Sequence, residues 1–162
     1  MLFLLFELDG DRYALDAADI VEVQALCAAK AIPGAPAWVA GVVERDGEPV
    51  PVVDVAQLAL GRASQQWRST RLVFVRYRQH DDTGAPDRLL GLVVEQRDAD
   101  APHRARAFRR QRLATPHARW LGPVASDALG MIQWIDVQQM LGDDVKALLF
   151  PQPVAECPSA PQ

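Results

Sequence analysis

Short apolar runs alternate with polar turns along most of the chain. The length of these runs, and the Gly, Pro and Asp residues that bound them, are typical of β-strands. Strands this short and this closely spaced need closure to protect their edges, which favours small barrels or a sandwich. The pattern therefore predicts an all-β protein with a few short helices and with strands over residues 2–8, 12–15, 20–26, 42–44, 50–53, 72–77, 89–95 and 131–135.

Two acidic-Gly pairs, Asp9-Gly10 and Asp46-Gly47, lie between successive predicted strands. Asp-Gly is a strong signal for a two-residue hairpin, because both central positions of a type I′ turn need a positive φ. We therefore expect a hairpin at each pair. The run after the second pair stops at Asp54, which is suited to cap a short helix over residues 55–60 that Gly61 would end.

The run from Trp134 to Gly142 repeats the residue order found around Asp54: an apolar pair, Asp, Val, Gln, Leu or Met, and Gly. A buried strand that continues into an Asp-capped helical turn is thus predicted twice, about half a chain apart. One explanation is chance, since short motifs recur by accident. The other is that two similar lobes are built from one supersecondary unit.

Further capping signals predict short helices elsewhere. Residues 16–19 resemble a single Asp-capped helical turn. Pro36 is suited to begin a short helix that continues through residue 40. Asp143 or Asp144 is expected to cap a helix over residues 145–150.

Some strands carry signs of irregular pairing. Ile20 and Val23 do not share a face in strict alternation, so their strand is expected to contain a bend or a bulge. Pro49 and Pro51 share an orientation and donate no ladder hydrogen bond. Their strand is therefore expected at an edge, or with its missing donors turned away from its partner. Gly91 predicts a bulge or a close approach of another backbone.

Polar segments indicate the connections and one terminus of the domain. Residues 62–69 are interpreted as a link between two halves, and residues 79–87 as a mobile loop. Residues 151–162 contain four prolines and little to bury, so we expect a disordered tail there. The folded domain is accordingly placed over residues 1–150.

Composition narrows the class of protein. The 162 residues are 49% hydrophobic, which suffices for one domain with a sizeable core. A net charge of −4 argues against general attraction to nucleic acid. Cys27 and Cys157 are far apart, which disfavours a disulfide framework and fits a reducing cytosol. Residues 1–11 lack the flanks of a signal peptide, and no run is long enough for a transmembrane helix, so we expect no direct membrane insertion.

Residues 103–119 contain six arginines and no acid. The segment is too polar for a buried strand over most of its length. One interpretation is a solvated loop. The other is a patch, including Arg109, Arg110 and Arg112, that docks an anion or an acidic partner.

The residues offer no constellation that would support catalysis or metal binding. His80, His103 and His117 lie in polar segments, and no Cys or His pair has zinc-ligand spacing. Nucleophile elbows, Gly-rich phosphate loops and dinucleotide fingerprints are absent from the sequence. The acids that could pair as acid and base sit at predicted helix caps. We therefore expect no enzymatic activity, no cofactor and no metal.

A series of short motifs, weak individually but specific in order and spacing, extends over residues 3 to about 150. These are Phe6-Glu7-Leu8, Tyr13-Ala14-Leu15-Asp16, Ile20-Val21-Glu22-Val23, Ile32-Pro33, Pro36-Ala37-Trp38-Val39-Ala40-Gly41-Val42-Val43, Val50-Pro51-Val52-Val53-Asp54-Val55, Leu72 to Val75, Gly91-Leu92-Val93-Val94-Glu95 and Ile135-Asp136-Val137. Together they resemble the chemotaxis coupling protein family, the CheW-like domains. One departure is the turn, where the family usually has Asn-Leu-Arg-Gly and this chain has Glu44-Arg45-Asp46-Gly47.

The resemblance implies a fold and a function. The fold would be two five-stranded, SH3-like barrel lobes packed together with a groove between them. The function would be that of a non-enzymatic adaptor, coupling the cytoplasmic tip of a methyl-accepting chemoreceptor to the regulatory domain of a CheA-type histidine kinase. Such an adaptor would be cytoplasmic and recruited to receptor assemblies at the membrane.

The resemblance also carries over candidate contacts. Residues matching the segment used for receptor binding are Ile20, Glu22, Val23 and Val93. Residues matching the kinase contact are Gly41, Glu44, Arg45, Asp46 and Pro51. The alternatives are that the apolar residues serve only the core, and that the Asp at the turn is there for its geometry.

Two further functions stay open from sequence. One is a β-barrel protein that binds a small molecule, which a cavity in the core would favour. The other is an anion-docking module that uses residues 103–119. The sequence leaves open whether an adaptor of this kind would serve motility, twitching or a second-messenger output.

Overall fold

The computed structural model describes residues 2–78, 87–95, 118–127 and 130–150, together with the backbone of residues 109–112. The described residues form ten strands: β1 Phe3–Leu8, β2 Asp11–Asp16, β3 Ile20–Ala25, β4 Val39–Arg45, β5 Glu48–Asp54, β6 Arg71–Tyr77, β7 Arg88–Val94, β8 Arg109–Arg112, β9 Leu121–Asp127 and β10 Gly130–Ile135. Two short α-helices, α1 Val55–Leu60 and α2 Asp143–Leu149, accompany them, with 3₁₀ turns at Ala17–Asp19 and Val137–Gln139.

The strands form two five-stranded sheets, one in each lobe. Lobe 1 has the order β1-β2-β10-β9-β8, and lobe 2 has the order β3-β6-β7-β5-β4. The prediction of an all-β protein with two five-stranded lobes is confirmed. The interpretation of residues 62–69 as a link between halves is wrong, because this segment joins α1 to β6 within lobe 2. The chain changes lobe after β2 and again after β7.

Both faces of β6 and β7 are covered, which explains why these two strands read as continuous apolar runs. Along β6, Val73 and Val75 point into a core shared by the two lobes, whereas Leu72 and Phe74 point into a separate core inside lobe 2. Lobe 1 has its own smaller core around Phe3. The shared core joins the lobes into one unit and includes Phe6, Leu8, Leu15, Val53, Leu90, Leu92, Val94 and Ile135.

The internal repeat is present in the structure. Asp54 ends β5 and its side chain accepts a hydrogen bond from the Gln57 amide at 3.3 Å. Asp136 directly follows β10 and accepts from the Gln138 amide at 3.1 Å. The backbone amides of the two aspartates donate to the carbonyls of Trp38 and Trp120, at 2.8 and 2.7 Å. Each of these strands also has a parallel neighbour, β7 for β5 and β2 for β10.

Most of the local turn predictions are confirmed. Asp9 and Asp46 have φ of 49° and 52°, and each precedes a glycine of positive φ, as a type I′ hairpin requires. The Asp16 carboxylate caps the turn that follows it. Gly61 adopts the left-handed conformation after α1. A register shift between Ile20 and Glu22 confirms the bulge in β3.

Two helix predictions need correction. Pro36 begins no helix; its carbonyl accepts from the Val39 amide at 3.0 Å in a turn, and β4 starts at that residue. Neither Asp143 nor Asp144 caps α2, because Gly142 occupies the N-cap position and both aspartates lie in the first turn. A negative charge in the first turn still favours the helix electrostatically.

Strand β5, which carries Pro49 and Pro51, lies inside its sheet between β7 and β4. The prediction that it is an edge strand is therefore wrong. Both prolines pair with residues of β4, and β7 pairs with β5 only from Val52 onward. The β7 ladder therefore needs no hydrogen bond from either proline. The prediction for Gly91 is wrong in both forms, because its strand pairs without a register shift there and the close neighbour is a side chain: a Cβ would lie 3.0 Å from Val52 Cγ2, whereas the nearest backbone atom, the Pro51 carbonyl oxygen, lies at 3.5 Å. Strand β9 was not predicted, because Gly122 and Pro123 interrupt its apolar pattern.

Part of the arginine segment is also a strand rather than a loop. Arg109–Arg112 pairs with β9 at the end of the lobe 1 sheet. Most of the predicted loop at 79–87 and the predicted tail at 151–162 lie outside the described residues. Within the part of the chain that the structure describes, no helix is long and apolar enough to cross a membrane.

Candidate functional site

Strand β3 carries the predicted receptor residues at the edge of lobe 2. Glu22 is exposed, and the Val23 residue is 44% exposed, an unusual position for a valine. Ile20 is half-buried beside the shared core. Val93 lies two strands away on β7 and is only 7% exposed. The structure therefore places three of the four residues on β3 and the fourth, Val93, in the internal core of the same lobe.

The β4–β5 hairpin carries the predicted kinase residues. Glu44 is exposed, and the Asp46 side chain at the tip is 85% exposed. Gly41 and Pro51 are buried farther along the hairpin. The hairpin thus presents a charged tip to solvent, and its buried residues hold the strands that support the tip.

An ion pair joins the two predicted contact regions. Arg45 Nη2 and Nε donate to Glu22 Oε2 at 2.8 and 3.0 Å, across the gap between β3 and β4. The guanidinium carbon lies 5.4 Å from the centre of the Phe74 ring, in cation–π geometry. Arg45 Nη1 also lies 3.4 Å from Asp46 Oδ2. The strand that carries the receptor candidates and the hairpin that carries the kinase candidates are therefore one continuous surface.

Gly41 has a structural role in the same lobe. Its φ is +140°, and a Cβ at this position would lie 2.1 Å from the carbonyl oxygen of Lys30. Lys30 and Val42 exchange backbone hydrogen bonds of 2.9 and 2.8 Å there. This bridge brings the segment after β3 onto the outer side of β4, and only glycine leaves room for it.

A second network joins the lobes and was missed from sequence. Glu95 is 1% exposed and accepts from Arg62 at 2.7 Å and from the Gln65 amide at 2.7 Å. Arg62 also donates to Asp9 in the lobe 1 hairpin at 2.7 Å. Hydrogen bonds to Glu95 and Asp9 raise the pKa of Arg62. An acid directly after a continuous apolar run was the available signal, because a buried carboxylate requires a partner.

Neither a metal site nor an anion-docking role for the arginine segment is supported by the described residues. No group of three or more His, Cys, Asp or Glu side chains among them is arranged to hold a metal ion. The backbone of Arg109, Arg110 and Arg112 lies at the edge of lobe 1. Their role in docking stays a prediction.

Comparison with known proteins decides the family. A model of the CheW-like domain matches residues 2–145, nearly the whole chain. The chain belongs to the CheW-like family. CheW-like proteins are scaffolds of chemotaxis and not enzymes. Proteins of this family couple to chemoreceptors and to CheA.

A solved structure supports the same fold. The CheW-like chain is similar to the scaffolding protein TtCheW from Thermoanaerobacter tengcongensis, with a TM-score of 0.70 and 20% sequence identity over 87% of each chain. At this identity the likeness extends to the fold alone. A search of curated proteins found no match to the chain.

Proposed function

We propose that this CheW-like protein couples a methyl-accepting chemoreceptor to a CheA-type histidine kinase, with no chemistry of its own. It would act in the cytoplasm, recruited to receptor assemblies at the membrane. The observation that carries the proposal is the continuous surface formed by β3 and the β4–β5 hairpin, in a chain of this family. Adaptors need two partner surfaces held in a fixed relation, and one five-stranded lobe supplies both here.

The receptor surface is proposed on β3. Exposed Val21 and Val23 offer apolar area, and Glu22 between them offers a charge. An amphipathic helix, such as the tip of a receptor coiled coil, can lay its apolar side on such a strand. Ile20 and Val93 are then the supporting residues behind the contact, because both are largely covered by the protein itself.

The kinase surface is proposed at the hairpin tip. Glu44, Arg45 and Asp46 reach solvent, so they are the residues able to touch a regulatory domain. Gly41 and Pro51 act indirectly by fixing the course of β4 and β5. Charged rim residues control partner choice and association rate more than affinity, so this tip is proposed to select among related kinases.

The proposal is tested by affinity purification of the tagged protein from its native host, followed by reconstitution of kinase autophosphorylation. We expect a histidine kinase and a chemoreceptor to co-purify, and receptor control of the purified kinase to require this protein. Retention of either partner alone, or receptor control that is unchanged without the adaptor, would contradict coupling.

A further inference from the structure

Lobe 2 contains a cavity of about 420 Å³ at one end of its internal core. We call it the lobe 2 cavity. Its volume lies within the range of small-molecule sites, roughly 300–1,000 Å³. The residues that line it are Leu26, Cys27, Ala28, Ala29, Ala40, Val52, Asp54, Ser64, Gln66 and Val93.

The cavity exists because the two ends of lobe 2 are filled differently. At the hairpin end, Phe74 and Val43 fill the internal core and the Arg45 guanidinium covers the Phe74 ring. At the opposite end the residues packed against this core include Ala29 and Ala40, whose side chains are a single methyl group. Space that larger side chains would occupy is therefore left between β4, β5 and the segment after β3.

Beside Gln66, whose amide can donate and accept, the polar lining contains two residues that offer a ligand only hydrogen-bond acceptors, Asp54 and Ser64. Asp54 accepts from the Gln57 amide, from the Ser64 amide at 2.9 Å and from the Ser64 hydroxyl. Because Ser64 Oγ donates its hydrogen to Asp54, it offers only lone pairs to a ligand. A carboxylate likewise offers only acceptors. Asp54 and Ser64 therefore favour a ligand that brings its own donor.

The apolar part of the lining determines which group can form the other end of the ligand. Val52 and Val93 form the floor on β5 and β7, and both are buried. Leu26 and the alanines form the walls. These surfaces match a hydrocarbon group and offer it no hydrogen-bonding partner.

We propose that the lobe 2 cavity binds a small amphiphile, a short aliphatic chain that ends in an amine or a hydroxyl group. The chain packs against Val52, Val93 and the alanine walls. The head group donates to the Asp54 carboxylate and to Ser64 Oγ. The site shares Val93 with the proposed receptor surface, but ligand binding there needs neither partner.

The test titrates the full chain with n-pentylamine, n-pentanol and pentanoate, and follows backbone amides by ¹H–¹⁵N correlation spectroscopy. We expect saturable shifts for the amine and the alcohol, largest at Ala28, Ala29, Ala40 and Val93. Pentanoate should bind at least about tenfold more weakly, because its charge repels Asp54. No saturable shift with either donor probe would overturn the site, and equal binding of pentanoate would overturn the head-group assignment.

Variants locate the site. Ala40→Leu should abolish the shifts by filling the cavity, whereas Ala18→Leu, on an exposed turn, should bind as the wild type does. Ala29→Leu fills the cavity from another wall and serves if Ala40→Leu does not fold. Asp54→Asn keeps an N-cap side chain and should weaken the amine at least about fivefold more than the alcohol. Unchanged binding in both leucine variants, or equal effects of Asp54→Asn on the two probes, would refute the proposal.

Discussion

Glu22 and Arg45 form an ion pair across the gap between the two outer strands of lobe 2, with N–O distances of 2.8 and 3.0 Å. The pair is partly exposed, so its contribution to the free energy of unfolding should be about 0.2 to 1 kcal/mol. Its two members nevertheless belong to the separate surfaces proposed for receptor and kinase. A substitution at either residue therefore alters both surfaces.

The first prediction concerns this pair. Glu22→Lys should weaken receptor binding by a factor of roughly 5 to 30, the effect of about 1 to 2 kcal/mol. The charge-swapped variant Glu22→Arg with Arg45→Glu restores an ion pair, so urea unfolding should return to within about 0.5 kcal/mol of wild type. Receptor binding should stay weak in the swapped variant. Recovery of both quantities would mean that Glu22 only supports Arg45.

The second prediction concerns Asp46. Asp46→Asn keeps a residue that tolerates a positive φ and removes the charge, whereas Asp46→Arg reverses the charge. Both should lower affinity for the cognate kinase, and Asp46→Arg should improve binding to a kinase of an ordinary chemotaxis pathway. Each effect should be about 0.2 to 1 kcal/mol in titrations at low salt. Wild-type binding by both variants would leave Asp46 with a purely conformational role.

The third prediction separates structure from contact at Gly41. Gly41→Ala places a methyl group against the Lys30 carbonyl, so the free energy of unfolding should fall by roughly 2 to 4 kcal/mol. Gly47→Ala is the matched control, because its Cβ meets nothing within 4 Å and only its positive φ is strained, at about 1 to 2 kcal/mol. Urea unfolding compares them. Equal losses would show that the Lys30 bridge adjusts to a side chain.

The fourth prediction concerns the network that joins the lobes. Arg62→Gln leaves the buried Glu95 carboxylate with the Gln65 amide but without its cation, so the thermal midpoint should fall. Arg68→Gln makes the same chemical change on an exposed residue of the same segment and should leave the midpoint nearly unchanged. Calorimetry of the two variants measures both midpoints. Equal midpoints would show that the contacts of Arg62 contribute nothing to stability.

The fifth prediction concerns Tyr77, whose hydroxyl is buried and has no hydrogen-bond partner among the residues that the structure describes. Tyr77→Phe should leave the free energy of unfolding unchanged or raise it by up to about 1 kcal/mol, because no bond is lost and an unpaired group is removed. Stacking on Phe150, with ring centres 5.5 Å apart, is retained. A loss above about 1 kcal/mol would reveal a partner for the hydroxyl.

Tyr77 also gives a pH signature. Burial raises its pKa from 10.0 to about 12, so the folded protein holds this proton more tightly than the unfolded chain. The resulting stability is complete below pH 10 and is lost as the pH rises towards 12. The difference in unfolding free energy between wild type and Tyr77→Phe should therefore be constant below pH 10 and shift in favour of the variant above it.

The hairpin turns and the caps at Asp16 and Asp54 were predictable because their signals are local. Asp46 with Gly47, and Asp54 before α1, each depend on the backbone preferences of adjacent residues, and tertiary contacts did not override them. The predicted helix at Pro36 failed for the opposite reason. Trp38 uses its carbonyl to accept from the Asp54 amide, which draws the chain into β4. The helix was predicted from Pro36 alone, and a single proline gives no information about the hydrogen bond between Asp54 and Trp38.

The contact roles of the candidate residues stay predictions, and their arrangement could not be predicted from the sequence. Glu22 and Arg45 were both expected at contacts, yet nothing in their spacing indicates that they pair, because their strands meet only when lobe 2 closes. The lobe 2 cavity was likewise beyond reach from sequence. Ala29 and Ala40 look like ordinary small residues, and the space between them depends on how the segment after β3 crosses β4.

The order of the strands has a consequence for biosynthesis. Lobe 2 is one uninterrupted stretch of chain, whereas in lobe 1 the N-terminal hairpin has to wait for β10, where Ala14 pairs with Trp134. Domains generally fold as units, starting from the N-terminus, as the chain leaves the ribosome. The β1–β2 hairpin is made before lobe 2, can pack against lobe 2 through Phe6 and Leu8, and gains its neighbours within its own lobe last. A nascent chain that has not yet reached Gly130 would present Phe3 to solvent, or to a chaperone, beside a lobe 2 that is already complete.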